Sequence, residues 1–191
     1  MKRLFTILAA VCMAASMMAE GHMKFKGVEI TGSTKEFIKQ LVNKGFKYTG
    51  VLQEGVSTLS GDFAGHKDCT LMIVSVGNEV VRVNVVFHEQ SSWSPLYENY
   101  ISIKEMLTQK YGDPAIDKEE WQGYRGKPTD DNSCMHELKM DRAKIYCGYE
   151  TENGSINLQI VKMSYANFVV MLSYFDNESQ ERLRNNAIDD L

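Results

Sequence analysis

The sequence predicts an α+β fold in which helices pack on one side of antiparallel sheet. A helix signal is followed by four short β-rich segments, at residues 47–52, 56–63, 68–76 and 80–88. Turn residues separate these segments, whereas parallel strands would need long, usually helical, crossovers between them. Strands clustered between helices therefore favour antiparallel pairing over alternating βαβ units.

The first helix has recognisable capping residues at both ends. Ser33 and Glu36 have capping-box spacing, and Gly45 supplies the left-handed residue that ends the helix. Phe46 is placed to fold back on the last turn. The predicted apolar stripe of this helix consists of Phe37, Ile38, Leu41 and Val42.

Residues 80–88, VVRVNVVFH, are the clearest strand. Apolar residues alternate with Arg82, Asn84 and His88, which is typical of an antiparallel strand with one buried face. The buried face is predicted to contain Val81, Val83, Val85 and Phe87.

The stretch SSWSPLYENY, residues 91–100, predicts the start of a second helix. Ser94 is a suitable N-cap and Pro95 a favourable first helical residue. An apolar series at helical spacing follows, at Leu96, Tyr100, Ile103, Leu107 and Tyr111. Trp93 and Tyr97 lie outside this stripe, and we therefore predict that both are exposed.

Exposed aromatic residues suggest a contact surface. Residues 113–132 are polar and turn-rich, and they form a predicted connection with one short strand around Trp121. Trp121 and Tyr124 join Trp93 and Tyr97 in the predicted binding patch, since aromatic side chains anchor interfaces at little entropic cost. The alternative is that these residues only build the helix start.

The C-terminal part predicts four strands and a final helix. The strands are CMHELKM, AKIYCGY, SINLQIVK and NFVVMLSYF, and the last is apolar on both faces, which predicts a central position. Asp176 or Asn177 caps the final helix. Its apolar residues are Leu183, Ala187, Ile188 and Leu191.

Residues of about 25–90 and 91–191 show a similar order of elements, a helix and then about four strands. Residues 33–40 and 102–109 share Ser, Lys, Glu and Gln at matching positions. Two tandem helix-plus-four-strand repeats would explain this match. The alternative is that the residue preferences of helix starts alone produce part of it.

Residues 1–19 have the pattern of a signal peptide, with Lys2 and Arg3 before an uncharged apolar run that ends at Ala19. We predict export to the periplasm or the extracellular space, with residues 20–191 as a single α+β domain. Lipid attachment at Cys12 is disfavoured, because Val11 stands where a small residue is expected.

Charge and hydropathy argue against two classes of partner. Removal of residues 1–19 takes away two basic residues and no acidic one, so the net charge falls from −4 to −6. An acidic chain without a basic run lacks the electrostatic pattern of a nucleic-acid-binding protein. After signal cleavage no stable membrane insertion is expected, because no later segment is apolar enough.

Four segments resemble small exported proteins of unknown function from Gram-negative anaerobes. They are FAGHKDCTLMIV, LYENYISIKEMLTQKYGDP, DDNSCMHELKMDRAKIYCGYET and AIDDL, and the likeness extends over roughly residues 25–191. It implies export and a compact α+β domain, and it brings no catalytic residues. The helix-plus-four-strand order also looks like that of the beta-lactamase inhibitor protein and the small outer-membrane assembly lipoproteins.

The chain has no recognisable catalytic or cofactor motif. GYRGK lacks P-loop spacing, the two His-Glu pairs lack a zincin's second histidine, and no Gly-x-Ser-x-Gly is present. The pairs Glu119-Glu120 and Asp130-Asp131 are interpreted as solvated charge. We therefore expect a non-enzymatic domain, without a cofactor, that binds a protein, peptide or glycan. The alternative is a secreted hydrolase whose site forms only in the fold.

Cysteines and histidines raise two further hypotheses. Zinc-binding residue types occur at His66, Cys69, Cys134, His136 and Cys147, but without Cys-x-x-Cys spacing, and no metal site is predicted. A tight turn at residues 140–141 would place Cys134 opposite Cys147 and allow a disulfide between them. A turn at residues 141–142 would place His136 opposite Cys147 instead.

Export can be tested on the native protein. Mass spectrometry of material from the cell envelope is expected to show an N-terminus near Glu20 and no acyl group. Diacylglycerol on Cys12 would contradict this prediction.

Overall fold

The structure is a computed structural model that describes residues 21–123 and 126–189. The predicted signal peptide and Cys12 lie outside these residues. Within them, four helices pack on one side of an eight-stranded antiparallel sheet, and a two-stranded sheet precedes the first helix, which confirms the α+β class.

The helices are α1 (Thr34–Asn43), α2 (Trp93–Tyr111), α3 (Asp131–Lys139) and α4 (Asn177–Asp189). The small sheet pairs β1 (Lys24–Phe25) with β2 (Val28–Glu29). The large sheet contains β3 (Lys47–Gln53), β4 (Val56–Phe63), β5 (His66–Val76), β6 (Glu79–Val86), β7 (Ile116–Trp121), β8 (Ala143–Thr151), β9 (Gly154–Lys162) and β10 (Phe168–Asp176).

The strand order of the large sheet is β3-β4-β5-β6-β10-β9-β8-β7, and every neighbouring pair is antiparallel. The first four strands and the last four therefore meet at β6 and β10, where Val85 lies opposite Leu172. The position of β10 between β6 and β9 confirms the prediction from its two apolar faces. The edges of the sheet are β3 and β7.

One face of the sheet carries the hydrophobic core. A row of directly opposed residues crosses five strands on this face, at Leu59, Leu71, Val85, Leu172 and Leu158. Each of them is at most 1% exposed. Full burial of one such side chain contributes about 1.5–3 kcal/mol, so this row is a main source of stability.

Helix α1 has the predicted caps. The Ser33 hydroxyl accepts a hydrogen bond from the Glu36 amide at 3.4 Å. At the other end, Gly45 has a φ of 97°, and the Phe46 amide donates to the Leu41 carbonyl at 3.2 Å. Phe46 is buried, as predicted. These bonds satisfy helix-end groups that would otherwise lack partners.

Helix α2 is anchored to the sheet through Tyr149 of β8. The Tyr149 hydroxyl donates to the Lys104 carbonyl at 3.1 Å and lies 2.9 Å from the Thr108 hydroxyl. Burial raises the pKa of Tyr149 to about 12, so that its proton stays available for these bonds. Tyr100 is 2% exposed, which confirms its prediction as a core residue.

The predicted start of α2 at Ser94 and Pro95 is wrong by two residues. The helix begins at Trp93, with Ser92 in the N-cap position. The backbone N–H and the hydroxyl of Ser94 donate to the Asp131 carboxylate, at 3.1 and 2.9 Å. A side chain from a remote segment therefore satisfies the helix start, and no local pattern reports it.

The segment CMHELKM forms most of α3 and not the predicted strand. The Asp130 carboxylate accepts a hydrogen bond from the Ser133 amide at 3.0 Å, as an N-cap does. Cys134 and Leu138, four residues apart, are buried on the same helix face. Asp130 and Asp131 are thus exposed carboxylates, as predicted, that also cap the starts of α3 and α2.

Helix α4 follows β10 directly. The Asp176 carboxylate accepts a hydrogen bond from the Ser179 amide at 2.9 Å, which confirms the predicted cap. The predicted apolar face is wrong at Ala187 and Ile188, which are exposed. Leu183 is half-buried, and Leu191 lies outside the described residues.

Substitution of Gly45 tests the end of α1. No other group lies within 4 Å of a Cβ built on Gly45, so Gly45→Val adds backbone strain without a clash. We expect a loss of at least about 1–2 kcal/mol in the free energy of unfolding by denaturant. Asn43→Val is the control, because asparagine and valine have similar helix propensities. Equal losses in both variants would contradict a left-handed requirement at residue 45.

Candidate functional site

The structure brings together three of the four aromatic residues predicted as a binding patch. Trp93 stacks on Tyr97 with ring centroids 4.7 Å apart, and the Trp121 ring meets Trp93 edge-on at 5.4 Å. We call Trp93, Tyr97 and Trp121 the aromatic cluster. Tyr124 lies outside the described residues.

The aromatic cluster is more buried than predicted. Trp93 is 5% exposed, and Tyr97 and Trp121 are half-buried against the core, so the prediction that Trp93 is exposed is wrong. Because α2 begins at Trp93, positions 93, 97 and 100 share one helix face. The apolar stripe predicted for α2 omitted Trp93, because the helix was expected to begin after this residue.

The polar groups around the aromatic cluster bond to each other. Glu119 accepts hydrogen bonds from the Tyr97 hydroxyl at 2.8 Å and the Trp121 indole at 3.1 Å. Lys127 places its Nζ 3.1 Å from the Glu119 carboxylate and 3.6 Å from the centre of the Tyr97 ring. Glu119 is therefore a partner in this cluster and not merely solvated charge.

These contacts shift the pKa of Glu119. Burial raises the pKa of its carboxyl, but hydrogen bonds from Tyr97 and Lys127 and the lysine charge outweigh burial, so the net pKa is lowered. The charged form is thus stabilised. The aromatic cluster fastens α2 to the edge strand β7, and its packing indicates a structural role.

The three described cysteines, Cys69, Cys134 and Cys147, are buried free thiols on β5, α3 and β8. Because residues 131–139 form a helix, the hairpin that placed Cys134 opposite Cys147 does not exist, and the basis for their disulfide is lost. Burial raises the pKa of Cys134 and of Cys147, which disfavours the reactive thiolate.

The residues weighed as zinc ligands, which also include His66 and His136, are divided among β5, α3 and β8. Over residues 21–123 and 126–189, no three histidine, cysteine or acidic side chains are grouped closely enough to hold a metal ion.

One depression gathers residue types that a hydrolase uses. It has a volume of about 350 Å³ and includes Ser91, Ser92, Asp131 and His136 in its lining. However, the Asp131 carboxylate is occupied by the amide and hydroxyl of Ser94. Among the described residues neither serine hydroxyl is hydrogen-bonded to His136, so the arrangement of a catalytic triad is not formed there.

The sheet surface opposite the helices is the strongest candidate for a binding site, and we call it the open face. A central row of directly opposed residues crosses six of its strands. In order, these residues are Thr58, Met72, Asn84, Ser173, Asn157 and Gly148. None of them is charged, and all except Gly148 have a side-chain hydroxyl, amide or thioether.

A second row lies beside the first. It contains Ser60, Thr70, Val86, Met171, Gln159 and Tyr146. Its ends pair with Lys47 on β3 and Lys118 on β7, so the charges beside this row lie at the two edges of the sheet. Between the edge strands the two rows are uncharged, and they contain polar side chains and two methionines.

Strand β6 supplies two unsatisfied polar groups to the open face. Asn84 is 6% exposed, and its Oδ1 accepts no hydrogen bond from the residues that the structure describes. Arg82 lies two residues earlier on the same face, and its Nε likewise has no described partner. The Arg82 guanidinium lies 5.5 Å from the centre of the Phe175 ring. A buried acceptor without a hydrogen bond costs about 1–3 kcal/mol. A partner would recover this energy only if the Asn84 side chain turned outward, because its Oδ1 has almost no accessible surface.

The sequence predicted part of this surface. Period-two alternation placed Arg82 and Asn84 on the polar face of β6. It could not identify Ser173 and Asn157, because their approach to Asn84 depends on pairing between distant strands.

Comparison of the chain with family models, curated proteins and solved structures finds no match. Within the described residues, every helix falls short of the length and hydrophobicity that a bilayer span requires.

The aromatic cluster predicts a pH-dependent stability. Because the folded-state pKa of Glu119 is lowered, its ionised form stabilises the fold above the usual glutamate pKa of about 4.3. This contribution is lost as the pH falls through the folded-state pKa. We expect Glu119→Gln to lower the melting temperature near pH 7, and the difference from wild type to shrink toward about pH 3.

Glu120→Gln is the matched control, because Glu120 is the neighbouring residue and its carboxylate makes no hydrogen bond or ion pair within the described residues. Its melting temperature is expected to stay near that of wild type. A deficit of Glu119→Gln that is equal at both ends of the pH range would contradict the role assigned to the carboxylate charge.

Proposed function

We propose that this protein is an exported, non-enzymatic binding or accessory domain that holds a protein or peptide on its open face in the periplasm or at the cell surface. The observation that carries the proposal is the buried Oδ1 of Asn84, which lacks a hydrogen bond within the described chain. The Nε of Arg82 adds a donor two residues away. A partner backbone, with alternating N–H and C=O groups, offers both complements.

The side chains around Asn84 favour a protein partner over a glycan. Met72 and Met171 flank it from the two neighbouring strands, and methionine surfaces adapt to varied apolar side chains. Glycan sites commonly use exposed aromatic faces, whereas on this surface Arg82 lies over Phe175 and Tyr146 is half-buried.

We also infer that the chain arose by internal duplication. In each half a helix precedes four strands, α1 with β3–β6 and α2 with β7–β10. The strand order places the two sets in reverse sequence about the β6–β10 contact, as a two-fold relation between repeats would. Helix α3, between β7 and β8, has no counterpart between β3 and β4.

The binding proposal is tested by placing a large charged side chain on each side of the sheet. Asn157→Arg alters the centre of the open face, and Asn43→Arg alters the exposed end of α1; both asparagines are exposed. Each variant and the wild type are immobilised, and captured envelope components are identified by mass spectrometry.

We expect Asn157→Arg to reduce capture of the partner by at least about tenfold, because an interface centre is sensitive to an unpaired charge. Asn43→Arg is expected to retain capture. Equal capture by all three proteins, with unchanged melting temperatures, would remove the open face as the binding surface. Capture that survives protease treatment of the extract would identify a glycan and contradict a protein partner.

A further inference from the structure

The first residues that the structure describes lie against the start of α4. Gly21 is exposed there, and His22 is half-buried. The His22 Nδ1 lies 3.0 Å from the carboxylate of Asp176, and the Nε2 lies 3.3 Å from the carboxylate of Glu178. An imidazole between two acidic side chains lies in a negative electrostatic potential, and such a potential attracts a cation.

The predicted export of this chain gives His22 a further property. Signal cleavage after Ala19 makes Glu20 the first residue of the mature protein and His22 the third. Glu20 lies outside the described residues, and it contributes only the free α-amine of its backbone. A histidine at the third position can bind a metal ion through four nitrogens. These are the α-amine, the backbone nitrogens of the second and third residues, and the imidazole Nδ1.

This set of donors selects among metal ions. Because adjacent nitrogens are close together along the chain, all four can surround one ion in a plane. Square-planar coordination by nitrogen is typical of Cu(II) and Ni(II), whereas zinc prefers a tetrahedral arrangement. Affinity in the divalent series rises as far as copper and falls again at zinc, so Cu(II) is the favoured ion.

We propose that the mature N-terminus, formed by Glu20, Gly21 and His22, is a copper(II) site. The proposal rests on the export included in the proposed function, because only cleavage after Ala19 frees the α-amine of Glu20. Binding displaces one proton from the α-ammonium group and one from each backbone N–H of Gly21 and His22. These protons pass to the solvent, and copper keeps its oxidation state.

The described contacts leave the backbone nitrogens of the site available. Neither Gly21 nor His22 donates a backbone hydrogen bond to another described residue. The next backbone N–H, that of Met23, donates to the Asp176 carboxylate at 2.7 Å. The chain is therefore fixed from Met23 onward, and this contact holds the proposed site beside the start of α4.

Copper competes with Asp176 for the Nδ1 of His22. Without this contact, each oxygen of the buried Asp176 carboxylate keeps a backbone donor, Met23 at 2.7 Å and Ser179 at 2.9 Å. The Glu178 carboxylate lies beside the other ring nitrogen, and a carboxylate in this position commonly orients a metal-binding histidine. The fold therefore accommodates the release of His22 to the metal.

Titration of copper(II) sulfate into the exported protein, purified from the cell envelope, tests the proposal. Mass spectrometry first identifies the N-terminal residue of the preparation. Visible absorption and electron paramagnetic resonance then report whether copper is bound by four nitrogens. Wild type is expected to begin at Glu20 and to bind one copper(II) ion with this signature.

Two substitutions remove different donors. Gly21→Pro removes one backbone N–H and keeps the His22 side chain, whereas His22→Gln removes the imidazole. Each is expected to lower the copper(II) affinity by at least about 100-fold, since loss of an outer-shell partner alone costs about 10–100-fold. His88→Gln is the control, because His88 is an exposed histidine outside the site, and it is expected to match wild type. Melting temperatures verify that the variants fold.

A protein that begins at Glu20 and lacks the four-nitrogen signature would overturn the proposal. So would equal copper affinity of wild type and Gly21→Pro, because copper would then be held by histidine side chains alone. A mature protein that begins at another residue after the signal peptide would overturn the copper site and leave export standing. A chain from the envelope that still begins at Met1 would contradict both.

Discussion

The antiparallel pairing of β6 with β10 is the contact on which the rest of the structure depends. It aligns Arg82–Val86 with Phe175–Met171 and joins the two four-stranded parts of the sheet. The paired segments are far apart in the chain, so most of the sequence must be ordered before the pairing gains its full energy. Once formed, the pairing makes one core from residues of both halves, with Val85 packed between Leu71 and Leu172.

The same pairing creates the open face. Asn84 and Ser173 are opposite each other only in this register, and a shift of either strand by one residue would turn its side chain at this position toward the helices. The helices pack on the other side of the sheet, so the residues on this side do not have to be apolar. The candidate site thus belongs to neither half alone, and the residue pair at its centre spans the junction.

Much of the fold could be predicted from patterns of residues that are close together in the sequence. The caps of α1 lie within a few residues of the groups they satisfy, and alternation in β6 reports which face is buried. The errors have non-local causes. Asp131, from a distant segment, accepts a hydrogen bond from the backbone N–H of Ser94 at the start of α2. The helix therefore begins earlier than predicted, and Trp93 is part of the helix and of the core. The segment 134–140 has only seven residues, which is too short for its apolar spacing to distinguish a strand from a helix, and the cap at Asp130 identifies it as a helix.

The candidate site was less predictable than the fold. Aromatic content drew attention to Trp93, Tyr97 and Trp121, yet their rings and polar groups contact each other and Glu119. Serine, threonine, asparagine and methionine on alternating strand positions carry no motif. Their significance depends on which strands are neighbours, and that is a property of the whole sheet.

The charge on one edge of the large sheet has a consequence for uncontrolled growth of the sheet. A sheet with two adhesive edges adds copies without limit and forms fibres, because each addition exposes a new sticky end. Here the edge strand β7 carries four charged residues among its six, which opposes the addition of another strand at that edge. Copies therefore cannot add at both edges of the sheet, so the charge along one short strand prevents unlimited growth.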